Sequence, residues 1–273
     1  MSECSHNCEE CGVEGCSSRI EKLVVNNKSK IKHTIAIVSG KGGVGKSLVT
    51  SLLASYLNKD GKSVGILDGD ITGPSIPKSF NIHEPAYGDG GNLILPATTK
   101  NGIKIISSNM LVQNEDDPII WRGSLITTLL GQFYKDVIWG ELEYLLIDMP
   151  PGTSDVTLTA FQQIPLDGII IVTSPQDLVS LIVKKAINMA KVMNIPILGI
   201  IENMSYVECP TCKEKIYVYG KSKLESFAKE NDLEILGQLP LRSGVTELID
   251  AGNIEEVEMK EIIKAKEVLI NLK

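Results

Sequence analysis

Gly40-Lys41-Gly42-Gly43-Val44-Gly45-Lys46-Ser47 stands between an apolar run, Thr34–Val38, and a segment of helical character that opens near Gly45. A glycine-rich turn between a strand and a helix, closing on Lys-Ser, is the phosphate-loop pattern. Its chemistry follows from the residue types. The glycines let successive backbone N–H groups turn toward a polyphosphate, and the helix N-terminus adds positive potential. Lys46 reaches the β- and γ-phosphates, and the Ser47 hydroxyl is a ligand for Mg²⁺. All eight residues, Gly40, Lys41, Gly42, Gly43, Val44, Gly45, Lys46 and Ser47, are therefore expected to line a bound nucleotide.

Outward from this loop, short apolar runs alternate with longer helical segments. Strands are predicted at Thr34–Val38, Ser63–Leu67, Ile103–Ser107, Tyr144–Ile147, Gly168–Val172, Ile197–Ile201 and Glu234–Leu236. Several are continuously apolar, as strands buried on both faces are. The alternation predicts an α/β fold of the P-loop NTPase class, a mostly parallel β-sheet flanked by helices on both faces. Ser174-Pro175-Gln176-Asp177 predicts a helix opening at Pro175 and running to about Met193. Ser222 with Glu225 predicts a capping box, and Trp121-Arg122-Gly123 a helix start. Glu255–Leu272, acidic early and with Lys264 and Lys266 late, predicts a solvated terminal helix.

Three further segments carry candidate chemistry. Leu145-Leu146-Ile147-Asp148 is an apolar run ending in a carboxylate, the arrangement that holds the Mg²⁺ shell in P-loop NTPases. Pro150-Pro151-Gly152 puts two fixed φ angles before a free glycine, predicting a rigid turn whose Gly152 amide senses a γ-phosphate. Asp68-Gly69-Asp70 sets two carboxylates at the carboxyl edge of the sheet, where α/β ligands bind. With Asp148, these are read as metal- or water-positioning groups. An Asn-Lys-x-Asp segment would read guanine, but Asn203-Met204-Ser205-Tyr206 keeps the asparagine and lacks the aspartate, which favours adenine and hence ATP. Asn203 itself is either a nucleotide contact or a turn residue at a strand end.

The 273 residues include 27 Lys+Arg against 34 Asp+Glu, a net charge of −7. No uniformly basic stretch offers the cationic surface that nucleic-acid binding needs. Apolar runs such as Gly168–Val172 and Ile195–Ile201 fall far short of the roughly 18 residues that cross a bilayer. The polar N-terminus has no signal-peptide core, so a cytoplasmic protein without membrane contacts is expected. Residues 1–30 are poor in large apolar side chains and read as a flexible Cys-rich tail ahead of one ATPase domain over 31–273. His6, His33 and His83 have no partner at ligand spacing.

Six cysteines in such a chain point to metal ligation rather than disulfides. Cys4, Cys8, Cys11 and Cys16 crowd the N-terminus, while Cys209-Pro210-Thr211-Cys212 forms a lone C-x-x-C in an insert near 203–219. An iron–sulfur cluster needs four thiolates, which two copies of the Cys209/Cys212 pair complete across a two-fold axis. A zinc ribbon is the alternative, with Cys8 and Cys11 as the other half.

Lys41, directly after the first loop glycine, resembles the deviant Walker A signature of the MinD-like and arsenite-pump ATPases. Within that group Asp68-Gly69-Asp70-Ile71-Thr72-Gly73-Pro74-Ser75, Asp148-Met149-Pro150-Pro151-Gly152-Thr153 and Cys209-Pro210-Thr211-Cys212 together resemble the Mrp/ApbC family of iron–sulfur carrier ATPases, over about residues 33–252. The resemblance implies a homodimer in which Lys41 reaches the partner's nucleotide, Asp70 stands near the attacking water and Asp148 is the second switch carboxylate. With Lys46 these are the candidate catalytic residues. It also implies that Cys209 and Cys212 ligate a [4Fe–4S] cluster shared by two protomers and passed to apo-proteins, with slow ATP hydrolysis. A MinD-like ATP-dependent switch, or a zinc-stabilised ATPase acting on a protein partner, is the alternative. The four N-terminal cysteines are more tightly spaced than in the cytosolic scaffold branch, and Arg242 stands where relatives often carry an acid.

Overall fold

The computed structural model describes residues 21–70, 73, 75–111, 123–153, 155–176 and 181–272. The strands are β1 (Ser29–Ser39), β2 (Val64–Asp68), β3 (Tyr87–Gly88), β4 (Ile94–Leu95), β5 (Ala97–Thr98), β6 (Lys104–Ser107), β7 (Gly140–Asp148), β8 (Gly168–Thr173), β9 (Ile197–Glu202), β10 (Val207–Glu208), β11 (Lys215–Ile216) and β12 (Ile235–Gln238). The helices are α1 (Lys46–Lys59), α2 (Ile76–Ser79), α3 (Gly123–Asp136), α4 (Asp155–Gln163), α5 (Leu181–Val192), α6 (Leu224–Asn231), α7 (Ser243–Asp250) and α8 (Ile263–Ile270).

All seven predicted strands form, and they join one sheet in the order β12-β9-β8-β1-β7-β2-β6-β5. Every neighbouring pair is parallel except the edge pair β5–β6. Period-two alternation distributes each central strand between two cores. Ala36 and Val38 of β1 face one with α3 to α6, while Ile35 and Ile37 face the other with α1, α2, α7 and α8. The strand order reverses about β1, which puts a crevice at the carboxyl ends of β1 and its neighbours, where open α/β sheets take their ligands.

Four expectations are corrected. Residues 22–29, expected to belong to a flexible tail, are bonded to the body of the fold. Lys22 Nζ donates to the Phe161 and Ile164 carbonyls at 3.0 and 3.3 Å, and the Leu23 amide to Gln163 at 2.7 Å. Asn26 Nδ2 donates to the Lys135 and Val137 carbonyls, both at 2.7 Å. These groups satisfy carbonyls at the C-terminal ends of α4 and α3, where a helix has no partners of its own. Residues 1–20, with Cys4, Cys8, Cys11, Cys16 and the zinc-ribbon partner pair, lie outside the described residues.

The helix predicted to open at Pro175 does not: Pro175 and Gln176 form a turn, Asp177 lies outside the described residues, and the helix is described from Leu181. Trp121 and Arg122 also lie outside them. Ser222 makes no capping box, because Lys223 is the N-cap of α6. Ser222 Oγ instead accepts the Leu224 amide at 3.0 Å and donates to Glu202 Oε1 at 2.8 Å. The solvated terminal helix is two 3₁₀ turns, Ile254–Glu256 and Lys260–Ile262, followed by α8. Ile254, Val257, Met259, Ile262, Ala265 and Leu269 are all buried. Their irregular spacing follows distant partners, since Tyr56 Oη accepts the Met259 amide at 2.6 Å and Tyr144 Oη donates to the Leu269 carbonyl at 3.1 Å.

Removing the two Asn26 bonds tests the anchored N-terminal segment. Asn26→Ala is expected to lower the unfolding free energy by about 1–2 kcal/mol in urea titration. A loss below about 0.5 kcal/mol would show that residues 22–28 are not held to the helix ends.

Candidate functional site

The crevice is organised around one carboxylate. β7 runs apolar and buried through Ile147 and ends on Asp148, itself fully buried. Ser47 Oγ donates to Asp148 Oδ2 at 2.6 Å and Thr50 Oγ1 to Oδ1 at 3.0 Å. Lys46 Nζ stands 2.7 Å from Oδ1 and 3.9 Å from Asp70 Oδ2. The first of these contacts is ionic rather than a directed hydrogen bond, for the ammonium is buried and has no aligned acceptor. A buried ammonium at a helix N-terminus, ion-paired but without an aligned hydrogen-bond acceptor, fits an anionic ligand such as a phosphate oxygen. Ser47 Oγ with the Asp148 carboxylate is a hard oxygen donor set that suits Mg²⁺.

Asp68 pairs in register with Asp148 across β2 and β7, and is equally buried. Burial, then the nearby Asp148 carboxylate, pushes its carboxyl up to about 8, against the opposing pull of Lys46 and the bonds from Ser107 and the Asp70 amide. Its carboxyl faces Ser107 Oγ at 3.0 Å, so it supports the strand ends. Asp70, partly exposed, takes the place on the cleft wall.

The cleft has a volume of about 370 Å³. Lys41, Gly42, Gly43, Gly45, Lys46, Ser47 and Asp70 line it, with Lys41 exposed at its lip. Gly40 lies behind, where a Cβ would meet Val183 of α5 at 3.1 Å, and Val44 is buried. Two expected contacts sit elsewhere. The Gly152 amide donates to the Ser39 carbonyl at 2.9 Å, so in this structure it does not face the cleft, and Pro151 lines the wall instead. Asn203 is buried behind the loop, its Nδ2 donating to the Val44 carbonyl at 3.0 Å, while the next residue, Met204, reaches the cleft. Asn203 shapes the loop rather than lining the cleft.

Sequence reasoning missed Thr50, though its place three residues after Ser47 on one helix carried the signal. It also missed Ile249, whose approach from α7 has no local signature. Arg242 pairs with Glu261 at 2.8 Å and ties the loop before α7 to the C-terminal segment.

Cys209 and Cys212 lie on the turn of a small hairpin, β10 paired antiparallel with β11. The Cys209 amide donates to the Glu214 carbonyl at 2.9 Å and the Lys213 amide to the Cys209 carbonyl at 3.0 Å. Lys213 takes φ 62° to close the turn. Backbone N–H groups of Cys212 and then Thr211 point at the Cys209 sulfur and hold its thiol below the ordinary range. Cys209 is half-buried and Cys212 exposed. Among the described residues no third His, Cys, Asp or Glu joins them as a metal group; the hairpin presents two thiols, half of the four ligands that a cluster or a tetrahedral zinc takes.

Gly45 needs its missing side chain twice over. Its φ is +84°, and a Cβ there would stand 2.1 Å from Asn203 Nδ2. Left-handed backbone alone costs an alanine about 1–2 kcal/mol. Gly45→Ala is therefore expected to weaken ATP binding at least about tenfold by titration calorimetry, and unchanged affinity would contradict this loop geometry.

The family model for the ParA group described as NUBPL iron-transfer P-loop NTPase matches residues 30–272. An iron–sulfur cluster carrier protein of Clostridium perfringens is 48% identical over 249 residues, 89% of this chain and 87% of that protein. One of Methanocaldococcus jannaschii is 48% identical over 262 residues, 92% and 90% of the two chains. Among solved structures, a nucleotide-binding protein of Archaeoglobus fulgidus in complex with ADP superposes with a TM-score of 0.75 at 42% identity, covering 85% of this chain and 91% of that one. A chain of the MinC:MinD cell division protein complex of Aquifex aeolicus shares the fold, with a TM-score of 0.65 at 19% identity over 88% of this chain and 97% of that one. No described helix is long and apolar enough to cross a membrane. The family expected from the motifs is borne out: the chain belongs to the NUBPL-type iron-transfer P-loop NTPases of the ParA group.

Proposed function

We propose that this protein is an iron–sulfur cluster carrier that binds and hydrolyses ATP and delivers a [4Fe–4S] cluster from Cys209 and Cys212 to apo-proteins in the cytoplasm. The observation that carries the reading is the pairing, in one folded unit, of a phosphate cleft with an exposed two-thiol hairpin only five residues beyond the cleft residue Met204. The curated relatives named as cluster carriers support the cargo.

In the ATPase half, catalysis is positioning and charge neutralisation. Lys46 would exchange its contact with Asp148 for β- and γ-phosphate oxygens, and the loop amides would hold the same oxygens. Asp70, on the cleft wall, would orient the water that attacks the γ-phosphorus as the bond to the ADP oxygen breaks. Ser47 and Asp148 would hold Mg²⁺, which would supply neutralisation of phosphate charge. Lys41, exposed at the lip, would act on the nucleotide of a second protomer. In the carrier half, two hairpins in a homodimer supply four thiolates, and delivery is ligand exchange, recipient thiolates replacing those of Cys209 and Cys212 without change of oxidation state.

The two halves separate by substitution. Cys209→Ala or Cys212→Ala should lose about one [4Fe–4S] cluster per dimer after anaerobic reconstitution and fail to activate an apo-enzyme, while still binding ATP. Lys46→Ala should lose ATP binding or turnover and still take up the cluster. Removing residues 1–20 should leave cluster transfer largely intact. Cluster retention by both cysteine variants, with loss on removal of residues 1–20, would transfer the assignment to the N-terminal cysteines, and zinc in place of iron and sulfide would overturn it.

A further inference from the structure

Both stems of the cysteine hairpin are fastened to one buried carboxyl group. Glu202, the last residue of β9, is fully buried. Ser205 Oγ donates to its Oε2 at 2.7 Å, Ser222 Oγ to its Oε1 at 2.8 Å, and Gln238 Nε2 to its Oε2 at 3.1 Å. Ser205 belongs to the stem entering the hairpin, Ser222 to the stem leaving it, and Gln238 to the neighbouring strand β12. Gln238 Nε2 also reaches Ser222 Oγ at 3.2 Å. Among the described residues Glu202 makes no ion pair. A carboxyl with only neutral donors is an expensive way to fill a core, and an apolar side chain would fill it at lower cost. What the carboxyl adds is a junction of three separate segments.

Of the two residues that follow, Asn203 meets the back of the phosphate loop and Met204 the nucleotide cleft. Asn203 Nδ2 holds the Val44 carbonyl and lies against the Cα of Gly45, and Met204, at φ 57°, lines the cleft. Three consecutive residues thus touch, in turn, the roots of the hairpin, the back of the phosphate loop and the cleft wall. The entering stem is also held through its backbone, the Ser205 amide donating to the Leu239 carbonyl at 2.9 Å and the Leu241 amide to the Tyr206 carbonyl at 2.8 Å. The buried Tyr206 ring takes Lys215 Nζ at 4.1 Å and the edge of Tyr217, whereas on the outgoing side Ser222 is the link to Glu202. Ile216, Tyr217, Val218 and Tyr219 are exposed, and its ladder is two residues long on each strand.

We propose that Glu202 and Asn203 form a positioning pair that couples the phosphate loop to the cysteine hairpin. Asn203 follows the loop as it closes on a nucleotide, and Glu202 passes the displacement to both stems at once, so nucleotide occupancy sets the orientation of Cys209 and Cys212. Neither residue lines the cleft or carries a thiol. The purpose of the coupling rests on the reading of these cysteines as cluster ligands, but its existence is measurable without a cluster.

Hydrogen–deuterium exchange on the full-length, cluster-free protein, with and without magnesium and a non-hydrolysable ATP analogue, tests the pair. In the wild type the analogue should slow exchange in the loop, residues 40–47, and also in the hairpin, residues 205–222, by at least about fivefold, the lower end of ordinary site-to-site coupling. In Ser222→Ala, which cuts the outgoing stem from Glu202, loop protection should persist while the hairpin response falls below about twofold. Ser222→Thr, which keeps the hydroxyl, should restore it. Glu202→Gln keeps the volume but turns an N–H₂ toward a hydroxyl donor, and should resemble Ser222→Ala. A full hairpin response in Ser222→Ala, or a wild-type hairpin indifferent to an analogue that protects the loop, would overturn the coupling. Iron and sulfide uptake by the same proteins is measured separately. Failure of the wild type to take up a cluster would overturn the cargo reading and leave the exchange result to judge the coupling alone.

Discussion

The contact between Lys46 and Asp148 constrains everything around it. A buried ammonium and a buried carboxylate 2.7 Å apart each need a counter-charge, so removing either partner with no phosphate or metal ion to replace it leaves the other uncompensated at a cost of about 3–5 kcal/mol. The pair joins the first residue of α1 to the last residue of β7, so helix and sheet are fixed in register at the point where a phosphate would lie. Ser47 and Thr50, from the same helix, donate to Oδ2 and Oδ1 of Asp148. β7 in turn is held between β1 and β2 in the middle of the sheet, buried on both faces. The site is therefore pre-organised by the core, which is the condition for catalysis by positioning.

Around that rigid centre the less regular segments carry the specific features. The loop glycines allow the backbone to wrap a ligand, but only Gly43 and Gly45 in that loop have a φ that demands glycine. The hairpin bearing Cys209 and Cys212 projects from the end of β9, beside the cleft in sequence yet outside the sheet. Such a placement leaves the thiols accessible to a second copy or to a recipient while their roots remain in the core. On the proposed reading of these cysteines as ligands, an accessible pair would hold a metal group less permanently than an enclosed set of four, which suits cargo over a structural metal.

Much of this was legible in the sequence because the decisive signals are local. A strand buried on both faces is a continuous apolar run, and a phosphate loop is a contiguous motif between a strand and a helix. The seven parallel strands, Lys46, Ser47, Asp70 and Asp148 stand where those patterns put them. The errors share a different cause. The local sequence points the Gly152 amide at a γ-phosphate and makes Asn203 either a nucleotide contact or a strand-end turn residue, yet each donates to a backbone carbonyl, that of Ser39 or Val44, more than a hundred residues away in sequence. The C-terminal segment has charges fitting a surface helix, but Tyr56 and Tyr144 seize its backbone from across the second core. Lys22 and Asn26 look like tail residues until the carbonyls of α3 and α4 are placed beside them. Long-range hydrogen bonds leave no period in the sequence, and they decided each of these cases.

The central claim is that one chain supplies the nucleotide site and half of a shared cluster site. Anaerobic sedimentation velocity of the reconstituted protein, with iron, sulfide and protein assayed in the same fractions, addresses it most directly. The account predicts that iron and sulfide travel with a species of twice the chain mass, at about four of each per two chains. Iron and sulfide at that ratio on single chains, or a dimer carrying zinc alone, would contradict it.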